Sequence, residues 1–244
     1  MKKILDLPVM AVVYLCEVVV RIYFALIVRP KVVYTDASVK SLKFKEATIV
    51  ILNHTTMLDP LLIMAIVRRP RNILVAKDQY ELPYFRWILK RFRAIPIDRF
   101  DPWDTSWLSL TKKEMAKGNS ILIFPEGKCR TDGLLNEFKS GFAMLARSTG
   151  APVVSVAFDG IYKFGHRTQV RVGNSEKIER VKGVSSSEYL AEKSEYFRQK
   201  VWNLKQMALG KSGEILPPPS ETPAEVLPEA PVESNVHAKS GEDC

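Results

Sequence analysis

In "NHTTMLDP" (53–60), Asp59 follows His54 by five positions. A carboxylate beside an imidazole fixes its tautomer and stabilises the imidazolium, which is how a histidine becomes a general base near neutral pH. On a continuous helix, positions i and i+5 point about 140° apart, because each residue turns about 100°. The pair can therefore act together only across a turn. A second reading is purely local: Asp59 caps a helix that Pro60 opens, a contribution of about 1 kcal/mol. Cys16, Cys129 and Cys244 are scattered, and no two have metal-ligand spacing, so no metal site is expected and a reducing compartment is the default. Cys129 as a thiol nucleophile lacks a second histidine in a recognised arrangement.

A turn that unites His54 with Asp59 needs elements on both sides. "TIVILN" (48–53) reads as a buried strand and "PLLIMAIV" (60–67) as a helix. His54 then lies just past a strand's carboxyl end, where open α/β sheets form their sites. The alternation continues with strands at 72–77, 94–98, 120–125, 152–158 and 168–173. Helices are expected at 84–92, 103–118, 136–150 and 185–209. This pattern predicts an α/β domain over residues 31–211, with a central, largely parallel β-sheet flanked by helices.

The ends differ in composition. Residues 4–28 are apolar except for Asp6, Glu17 and Arg21, and Val9 to Val28 is long enough to cross a bilayer core as helix. Residues 1–30 are therefore expected to be an N-terminal membrane-associated helix. The larger positive load follows it, which favours an inner (cytoplasmic) membrane location with the body on the cytoplasmic side. Residues 212–244 are rich in Pro and Glu without periodicity and read as a disordered acidic tail. The net charge is +9, and the tail carries seven acidic residues against Lys239, so the remaining residues carry +15. So basic a body seeks anions. The chain has no helix-turn-helix, zinc-finger or aromatic RNA-binding signature, so nucleic acid is set aside in favour of anionic lipid and phosphorylated small molecules.

"NHTTMLDP", "AIPIDR", "FPEG" and "APVVSV" occur in that order across roughly residues 45–175. Together they resemble the glycerophospholipid acyltransferase family, especially 1-acylglycerol-3-phosphate (lysophosphatidic acid) acyltransferases. The resemblance implies His54 as general base and Asp59 as its orienter. The base takes the proton of a free glycerol hydroxyl that attacks an acyl thioester, with no covalent acyl-enzyme. A thioester is already activated, whereas an alcohol needs a base as it attacks.

In the family's second block, Gly-x-x-Phe-Ile-Asp-Arg, this chain has "RAIPIDR": Arg93 replaces the glycine and Pro96 the aromatic, while Arg99 matches. The resemblance gives Arg99 the acceptor phosphate, held by forked hydrogen bonds, and Lys77 a similar role. The third block, Phe-Pro-Glu-Gly-Thr-Arg-Ser, is "FPEGKCR": Glu126 and Gly127 match, and Cys129 stands where the family has arginine. Glu126 is implied to contact glycerol oxygens or brace the loop, and Lys128 or Arg130 to substitute for the arginine by a one-residue shift. Lys139 and Gly141 in "EFKSGFA" also sit at the family's usual positions. In the fourth block Ser155 replaces the second proline. The implied partners are membrane lipids, lysophosphatidic acid as acceptor, and acyl-coenzyme A or acyl carrier protein as donor. No further cofactor is implied. Another lysolipid or glycerol 3-phosphate as acceptor, a thioester hydrolase, and a non-catalytic lipid-binding protein on the same fold are the alternatives.

Overall fold

The computed structural model describes residues 14–15, 18–68, 71–83, 86, 89–90, 92–101, 104–179 and 185–211. The strands are β1 (Lys31–Tyr34), β2 (Ile49–Leu52), β3 (Arg71–Ala76), β4 (Ala94–Ile97), β5 (Ser120–Ile123), β6 (Val153–Phe158) and β7 (Gln169–Glu176). The helices are α1 (Asp59–Ile66), α2 (Lys77–Glu81), α3 (Ser106–Ala116), α4 (Gly141–Thr149) and α5 (Ser186–Ala208). One 7-stranded sheet has the order β1-β7-β6-β2-β5-β3-β4. Strands β6, β2, β5, β3 and β4 run parallel. β7 is antiparallel to β6, and β1 is parallel to β7, so these two run the other way at one edge.

The parallel strands are apolar on both faces because helices cover both. Alternate residues separate cleanly. Ile49, Ile51, Ile121, Ile123 and Val153 pack with Trp107, Phe142, Leu145, Phe197 and Trp202 from α3, α4 and α5. Val50, Leu52, Leu122, Val154 and Phe158 pack on the opposite face with Leu62 and Ile63 of α1. Phe24 and Val28, in a π-helical turn (Phe24–Val28), join this second cluster and are 2% and 0% exposed.

Several expectations change in detail. Helix α4 begins at Gly141, not 136, because residues before it bond elsewhere: Asn136 N–H donates to Glu126, and Lys139 N–H to the Pro125 carbonyl. Strand β1 was not expected, being a short edge strand that follows the apolar run. Among the described residues no helix is long and apolar enough to cross a membrane, and about half of the membrane-associated helix expected over 1–30 lies outside them. Residues 1–13 and 16–17, much of the helix expected at 84–92, and the tail at 212–244 lie outside the described residues.

Candidate active site

The carboxyl ends of β6, β2 and β5 are neighbours in the sheet, and the turns that leave them meet. Asn53, at the end of β2, is tied to Phe158 at the end of β6 by two bonds: its Nδ2 donates to the Phe158 carbonyl (3.0 Å), and Phe158 N–H donates to its Oδ1 (2.9 Å). This clamp sets the base of the turn from which His54 projects.

His54 Nδ1 lies 3.1 Å from Asp59 Oδ2, with side-chain exposures of 14% and 0%. The turn accomplishes what a continuous helix could not. Asp59 draws the chain back on itself by accepting backbone N–H bonds from Thr55 (2.5 Å) and Thr56 (2.7 Å). The Thr56 hydroxyl (3.2 Å) and the Tyr162 hydroxyl (2.5 Å) donate to its other oxygen. The capping expectation is thereby corrected: Asp59 is the first residue of α1 and its carboxylate faces the preceding turn, with no side-chain cap from the residue before it. Tyr162, in the loop after β6, is a fixed donor, since burial and then the Asp59 charge push its phenol well up. Gly160 permits this loop to approach: a Cβ there would fall 2.5 Å from Thr55 Oγ1, and its φ is +73°.

Burial pulls the His54 imidazole down, but bonding to Asp59 and to Cys129 outweighs it and raises the ring to about 9. Phe124 stacks obliquely on the imidazole, ring centres 4.4 Å apart at 32°.

Glu126 is buried, at 4% exposed, and braces the loop. Its Oε1 accepts the His54 backbone N–H (2.7 Å) and its Oε2 that of Asn136 (2.8 Å). Burial pushes the carboxyl up to about 7, against the lowering effect of those two N–H bonds. Of its two implied roles, the structure shows the brace. Arg130 N–H donates to the His54 carbonyl (2.8 Å), so the strand-β5 loop grips both sides of the His54 backbone.

The expected phosphate ligands divide. Arg99 reaches the site loop, its guanidinium 3.3 Å from the Gly127 carbonyl, while its other nitrogen pairs with Asp78 (2.7 Å). Lys77 pairs with Asp98 (3.1 Å), so β3 and β4 are cross-linked at their carboxyl ends by two reciprocal ion pairs. Arg130 is paired with Asp132 (2.7 Å) and is 12% exposed, which locks it within its own loop. Lys128 is exposed, and the exposed Lys139 lies along Gly127: a Cβ on that glycine would fall 3.3 Å from Lys139 Cε.

The places of four residues escaped the sequence reading. Thr55 and Thr56 lie inside the quoted motif, and their bonds follow from the turn alone. Tyr162 is separated from Asp59 by 103 positions and carries no local signal. Cys129 was read as a departure from a family arginine, yet its Sγ lies 3.2 Å from Nε2 and 3.4 Å from Nδ1 of His54. Among the described residues no group of three or more His, Cys, Asp and Glu could hold a metal ion.

Comparison with known proteins finds relatives in sequence and in fold. A 1-acyl-sn-glycerol-3-phosphate acyltransferase from Pseudomonas aeruginosa is 31% identical over 96 residues, covering 36% of this chain and 35% of that protein. A chloroplastic one from Brassica napus is 29% identical over 112 residues, 46% of this chain and 32% of the relative. A probable one from Mycoplasma pneumoniae is 25% identical over 144 residues, 57% and 53%. The matches thus span from about a third to a half of these relatives' length. The crystal structure of the 1-acyl-sn-glycerophosphate (LPA) acyltransferase from Thermotoga maritima shares the fold, with a TM-score of 0.56 at 21% identity over 82% of this chain and 79% of that one. The family model described as Acyltransferase matches residues 31–159, more than half of the chain and the whole stretch from His54 to Arg130, so the protein belongs to the Acyltransferase family.

Proposed function

We propose that the chain moves a fatty acyl group from an acyl thioester to the free sn-2 hydroxyl of lysophosphatidic acid, giving phosphatidic acid. The observation that carries this reading is the His54–Asp59 pair, held at 3.1 Å in a turn at the carboxyl edge of the sheet. His54 Nε2 takes the proton of the acceptor hydroxyl as its oxygen attacks the thioester carbonyl, and Asp59 stabilises the imidazolium that forms. Only the neutral ring accepts a proton, so turnover climbs with pH toward the imidazole's value of about 9. Arg99 at the Gly127 carbonyl, with Lys128 and Lys139 beside it, supplies the positive charge for the acceptor phosphate. The curated relatives named above act, by their names, on the same acceptor.

The acceptor is a lipid, and the enzyme meets it at a membrane surface. The basic body attracts anionic lipid and an anionic donor, either acyl-coenzyme A or acyl carrier protein. Exposed Leu15, Val19, Ile22 and Leu26 supply apolar contact beside it. The test is formation of labelled phosphatidic acid by wild type and by His54→Ala, with a panel of lysolipids and both donors. Loss of product in the variant is expected, and retained turnover overturns the reading. Thiol release that does not depend on acceptor identifies a hydrolase instead.

A further inference from the structure

We propose that the carboxyl edge of the sheet is a membrane-docking face: Phe164, Phe100 and Met57 enter the apolar layer of an anionic lipid bilayer, and Lys163 and Arg167 contact its headgroups. The choice of a lipid partner rests in part on the acyltransferase reading above, which it deepens.

One exposed apolar side chain means little, since much of any folded surface is apolar. The distribution here carries more. Outside residues 14–26, the three most exposed large apolar side chains among the described residues are Phe164 (85%), Phe100 (76%) and Met57 (61%). They stand on the turns that leave β6, β4 and β2. Those strands run parallel, so all three turns emerge at the end of the sheet where His54 sits. Tyr34, at the carboxyl end of the reversed β1 and hence at the opposite edge, is 36% exposed.

The turn that carries Phe164 is rigid. His166 N–H donates to the Lys163 carbonyl (3.2 Å), which closes a four-residue turn, and Gly165 at its third position has a φ of +82°. That φ fits a type II turn, whose second residue, here Phe164, occupies the corner. The base of the loop is stapled. The buried Asp159 carboxylate accepts the N–H groups of Ile161 (3.0 Å) and Gln169 (2.9 Å) and faces His166 Nε2 (2.7 Å). The Thr168 hydroxyl donates to the Ile161 carbonyl (2.6 Å). An aromatic side chain already held at a fixed corner gives up little conformational freedom on entering lipid.

Charge identifies the partner. Residues 160–168 contain Lys163, His166 and Arg167 and no acidic side chain. Lys163 and Arg167 are exposed on either side of Phe164 in the chain. An aromatic tip between cations settles at an anionic headgroup layer. The reversal of β1 adds continuity, because this strand starts at the same edge. The segment bearing the exposed Leu15, Val19, Ile22 and Leu26 therefore enters the sheet beside the Phe164 loop. Thr168 N–H donates to the Val28 carbonyl (3.3 Å), and Lys31 N–H to that of Thr168 (2.8 Å). Separate tips on separate turns suit a fluid lipid layer, whereas a folded partner needs a continuous complementary surface. The consequence is orientation. Tyr162, two residues before Phe164, donates to Asp59 (2.5 Å). Docking of the tip brings the mouth at His54 onto the bilayer, where a lipid acceptor presents its hydroxyl without leaving its leaflet.

The test uses the full chain and vesicles, with neither donor nor acceptor. Phe164→Trp and Tyr34→Trp are each mixed with phosphatidylglycerol–phosphatidylcholine vesicles, with and without brominated acyl chains, and read as differences from wild type. The tryptophan added at 164 is expected to emit at shorter wavelength and to be quenched by bromine, and the one at 34 to do neither. Lys163→Gln/Arg167→Gln weakens binding to these vesicles by about ten-fold at low salt and flattens its salt dependence. Phe164→Ser lowers turnover of vesicle-borne lysophosphatidic acid by about ten-fold and keeps the wild-type rate on a short-chain, monomeric one. A tryptophan at 164 that stays unquenched, or quenching equal at 34 and 164, overturns the proposal. So does shielding of position 164 by acyl carrier protein or by a second copy of the chain in place of lipid. A wild type that makes no phosphatidic acid from either acceptor overturns the acyltransferase reading and leaves the docking measurement standing.

Discussion

Asp59→Asn removes the charge of the buried carboxylate and keeps most of its shape. In the wild-type site the imidazole stands at about 9, against an ordinary value of 6.5, although burial alone would move it down. At about 1.4 kcal/mol per pH unit, that rise is a net preference for imidazolium on the order of 3 kcal/mol. The contribution of Asp59 and Cys129 together exceeds this figure, because it is reached after the burial penalty. The amide also faces the Thr55 and Thr56 N–H groups with one acceptor oxygen where two stood. In Asp59→Asn the charged ring keeps only the support of Cys129 and of the nearby Glu126 carboxyl, so its midpoint falls by at least about one unit. Adding Cys129→Ala removes a further group that favours the charged ring and lowers the midpoint again. The assay is the Cε1 proton shift of His54 followed from about pH 5 to 10, with His166 and His237 assigned by substitution. The sign for stability follows from linkage. A folded value above the unfolded one adds stability that is complete below 6.5 and is lost as pH rises through about 9. Wild type therefore loses up to about 3 kcal/mol across that window, and Asp59→Asn loses less. A wild-type midpoint at or below 6.5, or one that the amide leaves unmoved, would refute the electrostatic account of this site.

Other substitutions probe the frame. Arg93 adopts a φ of +56° where the family has glycine, so Arg93→Gly relieves a left-handed conformation and raises stability by about 1 kcal/mol, read as a shift in urea midpoint. Gly160→Val drives a side chain into Thr55 at a φ of +73° and is expected to cost about 2 kcal/mol or more, with turnover falling further than stability explains because Thr55 bonds Asp59. Arg99→Ala should raise the acceptor KM more than it lowers kcat, since the guanidinium's proposed task is to hold phosphate in ground and transition states alike; an unchanged KM removes Arg99 from that role.

Much of the fold was legible because burial on two faces leaves a plain signature. The Ile- and Val-rich runs at 48–53, 120–125 and 152–158 are continuous apolar stretches bounded by turn residues, and each became a fully buried strand. The reversal of β1 and β7 was not legible, because strand direction is set by pairing and loop length and leaves no mark on composition. At the site, the spacing of His54 and Asp59 announced the pair, and the neighbouring Asn53, Thr55 and Thr56 lay within the same motif. Asp59 looked equally like a cap, since Asp-Pro before an apolar run is what a cap looks like. Only its bonds to the preceding turn decide between the two. Tyr162 and the nearness of Cys129 to His54 depend on β6 and β5 flanking β2, a fact of strand order that no local pattern encodes.

The three turns that form the site leave strands adjacent in space yet far apart along the chain. His54 meets Glu126 across 72 positions, and Asn53 meets Phe158 across 105. Such closures come late, since loop entropy must be overcome before distant strands reward it. The catalytic centre should therefore be among the last parts of the molecule to acquire protection from hydrogen exchange during refolding. A nascent or truncated chain that stops before β6 holds the histidine and its aspartate without the scaffold that makes them a pair. Activity can then serve as an all-or-none reporter of complete sheet assembly in this protein.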